Sequence, residues 1–275
     1  MPFYARQLTP SGLTAVPYSA TSLVDAAQHE PEGVYTITNT YPGLRVLQMD
    51  PHLTRLEDSA RREGIPLIVD RPRVRAALRQ VIEESGFEVV RFRITVPRAT
   101  PDEPILSVEP FAPPAPEVYE RGIRCVTVSD TQRDNPAAKT TGWMTQRKDV
   151  QAAFPPGITE GLLVGDSGEI LEGLTSNFYA IHDGILYTAG EGVLPGIGRL
   201  VVFAVAPDIL PLALRAVTVS EIAALEEAFI TSASRGIVPV VEIDGMRIGA
   251  GVPGMTTRRL REAYSAWVSA HLEDI

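Results

Sequence analysis

The sequence holds a single cysteine, Cys125, which excludes an internal disulfide and any cysteine-rich metal site. Its four histidines (29, 52, 182 and 271) are scattered without His-x-x-x-His spacing, so no metal site is expected. The longest apolar runs, such as GLLVG at 161–165, are far too short to cross a bilayer. No basic stretch followed by an apolar one opens the chain. Basic residues are outnumbered, 25 to 34, and the net charge is −9 with no basic block, which argues against a phosphate-backbone partner. P-loop, Gly-x-Ser-x-Gly and Gly-x-Gly-x-x-Gly patterns are missing, which removes the commonest nucleotidase, hydrolase and dehydrogenase readings. A soluble cytoplasmic protein that binds neither membrane nor nucleic acid is expected.

Lysine is the scarcest charged residue: of the 25 basic residues, 23 are arginine, and lysine stands only at Lys139 and Lys148. Arginine serves wherever a plain positive charge suffices, but it cannot replace an amine that must lose its proton and attack a carbonyl. Each lysine is therefore a candidate nucleophile, with drift as the plain alternative.

The first third alternates strands and helices. Strands are expected at 33–40 and 44–49 around a Tyr41-Pro42-Gly43 turn. A helix capped by Asp50 follows, closed by Gly64, with Leu53, Leu56 and Ala60 as its buried stripe. A second helix is expected at 71–85, then strands at 87–96 and 105–110. The Pro-rich run 112–116 is the natural linker. Beyond it come short strands and hairpins, a helix at 200–205 and a closing helix at 255–272. The expected division is 1–111, a linker at 112–118, and 119–275, in an α/β (α+β) fold.

Four loop segments carry chemistry. Lys139 sits among small residues, which leave room for a planar ligand; a solvated loop lysine is the plain alternative. Glu172-Gly173-Leu174-Thr175-Ser176-Asn177 offers a carboxylate that either satisfies turn backbone or holds a protonated ring nitrogen. Leu194-Pro195-Gly196-Ile197-Gly198-Arg199 opens a helix, and free amides at a helix start favour phosphate. Ser234 lies in a hydroxyl-rich strand end. Arg55, flanked by the inward Leu53 and Leu56, either reaches a buried anion or makes a surface ion pair. One amine, one carboxylate, a phosphate cradle, extra hydroxyls and an arginine make up the inventory of a pyridoxal 5′-phosphate site.

In order and wording these segments resemble the class IV, or fold type IV, pyridoxal-phosphate enzymes: branched-chain and D-amino-acid aminotransferases, (R)-selective amine transaminases and aminodeoxychorismate lyase. The likeness runs from about Gly33 to Tyr264. Asp50-Pro51-His52-Leu53-Thr54-Arg55-Leu56 is similar to the family's phosphate-binding helix, with Arg55 at the phosphate arginine. Lys139 falls at the Schiff-base lysine. Glu172, Ser176 and Asn177 match Glu-Gly-x-x-Ser-Asn, whose glutamate pairs with the pyridine nitrogen. Leu194 falls where a leucine packs on the ring, and Ile197 and Gly198 where an Ile-Thr pair receives the phosphate. Gly198 lacks the usual hydroxyl, so the phosphate should lean on Ser234 and Arg55.

The resemblance implies a small N-terminal and a larger C-terminal α/β domain with the cofactor in the cleft between them, and a homodimer. It also implies an aminotransferase that moves an amino group between an amino acid (or amine) and a 2-keto acid through a Lys139 Schiff base, with Tyr35 lining the substrate pocket. The substrate carboxylate is assigned to Arg93 or Arg98, the register of 91–98 leaving both open. A lyase releasing pyruvate from aminodeoxychorismate needs the same lysine and cofactor and is the main rival; a cofactor-binding homologue without turnover is the third reading.

Overall fold

The computed structural model describes residues 3–275. In chain order its elements are β1 (Tyr4–Thr9), β2 (Gly12–Ala15), α1 (Leu23–Ala26), β3 (Gly33–Tyr41), β4 (Arg45–Leu47), α2 (Met49–Arg62), α3 (Arg71–Ser85), β5 (Val90–Pro97) and β6 (Ile105–Pro110). Then follow α4 (Pro116–Arg121), β7 (Ile123–Val128), α5 (Thr141–Ala152), β8 (Glu160–Val164), β9 (Ile170–Gly173), β10 (Asn177–His182), β11 (Ile185–Tyr187) and α6 (Ile197–Val205). The last are β12 (Leu212–Ala213), β13 (Glu227–Ser232), β14 (Gly236–Ile243), β15 (Met246–Arg247), α7 (Met255–Ala270) and β16 (Leu272–Asp274). By internal contact the chain forms two compact units. The first takes residues up to Ala112 together with Ala138–Lys148 and His271–Ile275; the second takes Pro113–Ala137 and Asp149–Ala270. The first unit thus recruits two pieces of chain from far beyond the Pro-rich linker, one of them carrying Lys139.

The first unit is built on an antiparallel sheet in the order β16-β4-β3-β5-β6-β1-β2. Helices α2 and α3 bury the stripes their spacing announces: Leu53, Leu56 and Ala60 from one, Val74, Ala77, Leu78, Val81 and Ile82 from the other, with Val34, Phe92, Ile94, Leu106 and Val108 from the strands. Asp70 caps α3 by accepting from the Arg73 amide, and Gly86 closes it in the left-handed conformation. Helix α2 departs from expectation. It begins at Met49, behind a left-handed Gln48 that gives no side-chain cap. The Met49 N–H instead donates to Glu273 Oε1 at 2.8 Å, a carboxylate from β16. Asp50 therefore stands inside the first turn, where it meets Arg75 at 3.2 Å.

The second unit holds a mixed sheet in the order β12-β11-β10-β13-β14-β7-β8-β9, with β15 on β14. Strand β9 also meets β10, through Glu172 opposite Asn177, so the sheet curls back on itself at that pair. Its core gathers Ile123, Cys125, Leu162, Phe178, Ile230 and Val240. The Pro-rich run is irregular until Pro116, which opens α4 as its first helical residue. Helix α6 starts three residues earlier than its apolar periodicity announced, at Ile197. The closing helix stops at Ala270, because Leu272–Asp274 pairs with β4 instead of continuing it.

Candidate active site

In the first unit, β3 is the platform. The Tyr35 amide donates to the Lys139 carbonyl at 2.9 Å, and Val34 and Thr140 form an antiparallel bridge. The Lys139 amide donates to Ser59 Oγ at 3.1 Å, and Thr141 Oγ1 accepts from the Gly33 amide at 2.9 Å. A Cβ at residue 33 would fall 2.0 Å from the Val96 carbonyl oxygen, so only glycine lets β3 pass here. These bonds hold Lys139 as an edge residue just ahead of α5, with its Nζ 4.7 Å from the centroid of the buried Tyr35 ring.

Helix α2 turns three polar residues, His52, Arg55 and Ser59, onto the buried face it shares with Leu53 and Leu56. Arg55 Nη2 donates to Thr36 Oγ1 at 3.1 Å, and the same hydroxyl bonds His52 Nδ1 at 2.8 Å. Burial first, then the positive charges of Arg55 and Lys139, push the His52 ring well below the usual histidine range and keep it neutral. His52 and Arg55 thus share the Thr36 hydroxyl in a buried corner of the first unit. His52 escaped the sequence reading as a site residue, although its place three residues before Arg55 on the apolar stripe was the available signal.

The two arginines assigned to the substrate carboxylate have other partners. Arg93 is 2% exposed. Its Nη2 meets Glu30 Oε1 at 2.6 Å and its Nη1 donates to the Leu23 carbonyl at 2.8 Å. Arg98 is an exposed residue that bonds Glu32 at 2.9 Å and Glu63 at 3.3 Å. The register of β5 that the sequence left open is now set, with Arg93 opposite Ile37 and Arg91 opposite Asn39.

In the second unit the centre is Glu172, 2% exposed near the end of β9. Its Oε2 accepts from the Leu194 amide at 3.0 Å and from Asn177 Nδ2 at 3.2 Å. Its Oε1 accepts from Arg133 Nη1 at 2.7 Å, a residue of the irregular loop before Lys139 that sequence reasoning missed. Asn177 also donates to the Leu194 carbonyl at 2.9 Å, so one amide ties the carboxylate to the segment leading into α6. Ser176 faces another acid: its Oγ donates to the buried Glu160 at 3.1 Å, beside Thr175 and Arg235.

Helix α6 begins behind Gly196 with no side-chain cap, leaving the first-turn amides of Ile197 and Gly198 as donors. At Gly198, where the resemblance has threonine, a Cβ would lie 3.3 Å from Tyr264 Oη and 3.4 Å from Thr231 Cβ and the Ser232 carbonyl carbon, a tight fit that asks a small shift of the tyrosine hydroxyl. Ser234 stands in the short turn from β13 to β14. Arg199 is buried, donating to Thr188 and to the Ala189 carbonyl, and stacks on Phe203.

These donors suit pyridoxal 5′-phosphate by their chemistry. A buried carboxylate suits a protonated ring nitrogen, helix-start amides and a buried guanidinium suit a phosphate, and a lysine amine suits an aldehyde. One trio, His182, Asp183 and Glu226, has ligand-type atoms within 4.8 Å of one another, but there the Glu226 carboxylate, just ahead of β13, accepts from the Asp183 amide of the β10–β11 turn. No helix among the described residues is long and apolar enough to cross a membrane.

The profile of the amino-transferase class IV family matches residues 33–243. The chain is 27% identical over 257 residues to the D-alanine aminotransferase of Bacillus licheniformis, covering 89% of this chain and 90% of that one. It is 26% identical over 276 residues to the branched-chain-amino-acid aminotransferase of Pseudomonas aeruginosa, covering 93% and 90%. Its fold matches that of the branched-chain amino acid aminotransferase of Escherichia coli, at a TM-score of 0.79 and 22% identity over 98% of this chain and 96% of that one. A second branched-chain amino acid aminotransferase, solved with pyridoxamine 5′-phosphate, matches at a TM-score of 0.81 and 21% identity over 98% of both chains. The chain belongs to the class IV aminotransferases and has their fold type IV architecture. It is a pyridoxal-phosphate-dependent transaminase, and the lyase reading is not favoured.

Proposed function

We propose that Lys139 Nζ is the amine that binds the aldehyde carbon of pyridoxal 5′-phosphate, and that the same amine, once displaced by the substrate's amino group, carries the proton between the substrate Cα and the cofactor. The bound cofactor supplies an electron-withdrawing ring that stabilises negative charge at Cα and accepts the amino group. Glu172 holds the ring nitrogen protonated, with Asn177 and the Leu194 amide keeping its Oε2 in place. Arg55, the amides of Ile197 and Gly198, and Ser234 bind the phosphate, and Leu194 packs on the ring. Tyr35 lies along the substrate. Ser176 acts at a remove, through Glu160. Arg93 is left out of this reading, because its terminal nitrogens are committed to Glu30 and Leu23.

The observation that supports the reading is the placement of Lys139: the segment 139–141 is tied to β3 and α2 by four hydrogen bonds and a bridge, and the lysine amine lies on the face of a buried tyrosine. The donor is an amino acid or an amine, and the acceptor is a 2-keto acid. Relatives named for D-alanine and for branched-chain amino acids match about equally well, so the donor's hand is decided by experiment. The further reading as a cytoplasmic homodimer rests on the resemblance, and sedimentation of the purified enzyme tests the dimer.

The visible absorption of the purified enzyme, followed as D- and L-amino acids are added in turn, tests the assignment. Loss of the long-wavelength cofactor band with release of keto acid is expected for one hand of donor. Lys139→Ala is expected to abolish both the band and turnover. Full activity in that variant would sink the assignment.

A further inference from the structure

Resting on that reading of Lys139, we infer that Arg147 is the residue that takes the substrate's carboxylate, and that the enzyme's substrates are therefore carboxylate-bearing amino acids and not simple amines. Arg147 lies on α5, partly buried, and its Nη1 donates to the phenol oxygen of Tyr35 at 3.4 Å. The ring of that same tyrosine carries Lys139 Nζ on its face. One rigid, buried side chain is thus flanked by the reactive amine and by a guanidinium.

The charge arithmetic around Arg147 favours an anion. Several arginines of the first unit are already committed to carboxylates: Arg71 to Glu57, Arg75 to Glu273, Arg93 to Glu30, Arg98 to Glu32 and Glu63. Arg147 makes no ion pair among the described residues, and its hydrogen bond goes to a neutral phenol at the long end of the range. A partly desolvated guanidinium with four further N–H donors is built to take a carboxylate, in a two-pronged geometry.

An α-amino acid bears its carboxylate on the very carbon whose amine must meet Lys139, so the group that grips it has to stand close to that lysine. Arg147 meets this condition through Tyr35, and the phenol offers the carboxylate a second donor. Arg93 and Arg98, the arginines that motif reading singles out, are spent on glutamates. Sequence spacing could not find Arg147, because its relation to Tyr35 joins a helix to a strand 112 positions away.

The test uses the cofactor-loaded enzyme and two probes of equal size, pentanoate and pentanamide. In the wild type, titration calorimetry is expected to find pentanoate bound at least about tenfold more tightly, as a charge-assisted guanidinium contact implies. In Arg147→Gln the dissociation constant of pentanoate should rise about tenfold or more. The ratio of kcat/KM for alanine (whichever hand the wild type accepts) over isopropylamine should fall by a similar factor, and Arg147→Lys should recover part of both. Thermal unfolding and cofactor absorbance, read beforehand, identify any variant that is misfolded or unloaded, and Arg147→Met then takes its place. Equal pentanoate affinity in wild type and loaded Arg147→Gln overturns the assignment. So does equal binding of pentanoate and pentanamide by the wild type. Failure of the wild type to take up cofactor through Lys139 would overturn the underlying reading as well, and the absorption spectrum shows that before any ligand is added.

Discussion

Two buried carboxylates, one from each unit, each face an arginine, and the two pairs differ in where their partners come from. Glu30, in the first unit, accepts from Arg93 and Thr95 on β5, from Ser107 on β6 and from Tyr18. Most of these donors sit on neighbouring strands of one sheet, so the ladder fixes them. Glu172, in the second unit, is held by Asn177 at a strand start, by a backbone amide at Leu194 and by Arg133 on an irregular loop. A carboxylate whose cationic partner is locked into a sheet is a structural element. One whose guanidinium partner rides on a loop can exchange that partner for a ligand cation. Burial and an arginine neighbour are common to both, so neither property alone marks a functional acid.

The contrast can be broken most forcefully at Arg93. Arg93→Met leaves Glu30 buried without its cation and should cost about 3–5 kcal/mol of stability, read as a fall in the urea midpoint. Removing the acid as well, in Arg93→Met with Glu30→Leu, should return much of that loss, because the desolvation penalty leaves with the charge. If Arg93→Met instead kept its stability and lost affinity for substrate, the distinction between the two pairs would collapse.

Glu172→Gln addresses the other pair. The amide keeps the size and some of the hydrogen bonds but cannot hold a proton on a ring nitrogen. Turnover should drop by about 10²–10³-fold with a much smaller change in midpoint. A variant that turned over normally would reduce Glu172 to a structural acid like Glu30.

A milder test sharpens the comparison from the basic side. His52 is kept neutral by burial and by Arg55 and Lys139, so its folded pKa lies below its unfolded value of about 6.5. Below that pH the unfolded chain takes up a proton that the folded one refuses, so this residue's contribution is intact above about pH 6.5 and is lost as pH falls. The expected slope is about 1.4 kcal/mol per pH unit from this one group. Urea midpoints compared between pH 7 and 5 should show a shallower dependence in His52→Gln; an unchanged slope would mean the ring protonates freely in the fold.

Much of the fold was legible in the pattern of residues. The stripes of α2 and α3, the glycine that ends α3 and the hairpin at Asp183-Gly184 all follow from local rules of periodicity, capping and turn chemistry. So did the family, because Lys139, Glu172 and the segment opening α6 keep their wording and order along the chain. What failed locally failed for a non-local reason. Asp50 does not cap α2 because Glu273, more than two hundred residues away, supplies the acceptor to Met49. The last turn expected of α7 is instead β16, whose partner strand β4 lies near the other end of the chain.

The class of chemistry is written in the residues themselves. A lysine in a chain that otherwise uses arginine, an acid in a small-residue turn and a glycine-rich helix start are chemical statements that need no coordinates. Which cations are spent and which remain depends on the folded chain. It assigned Arg93 to Glu30, Arg98 to Glu32 and Glu63, and Arg147 to the phenol of Tyr35. The reason is physical: a charge's availability depends on the partners that folding brings within hydrogen-bond reach, and those come from strands and helices distant in sequence.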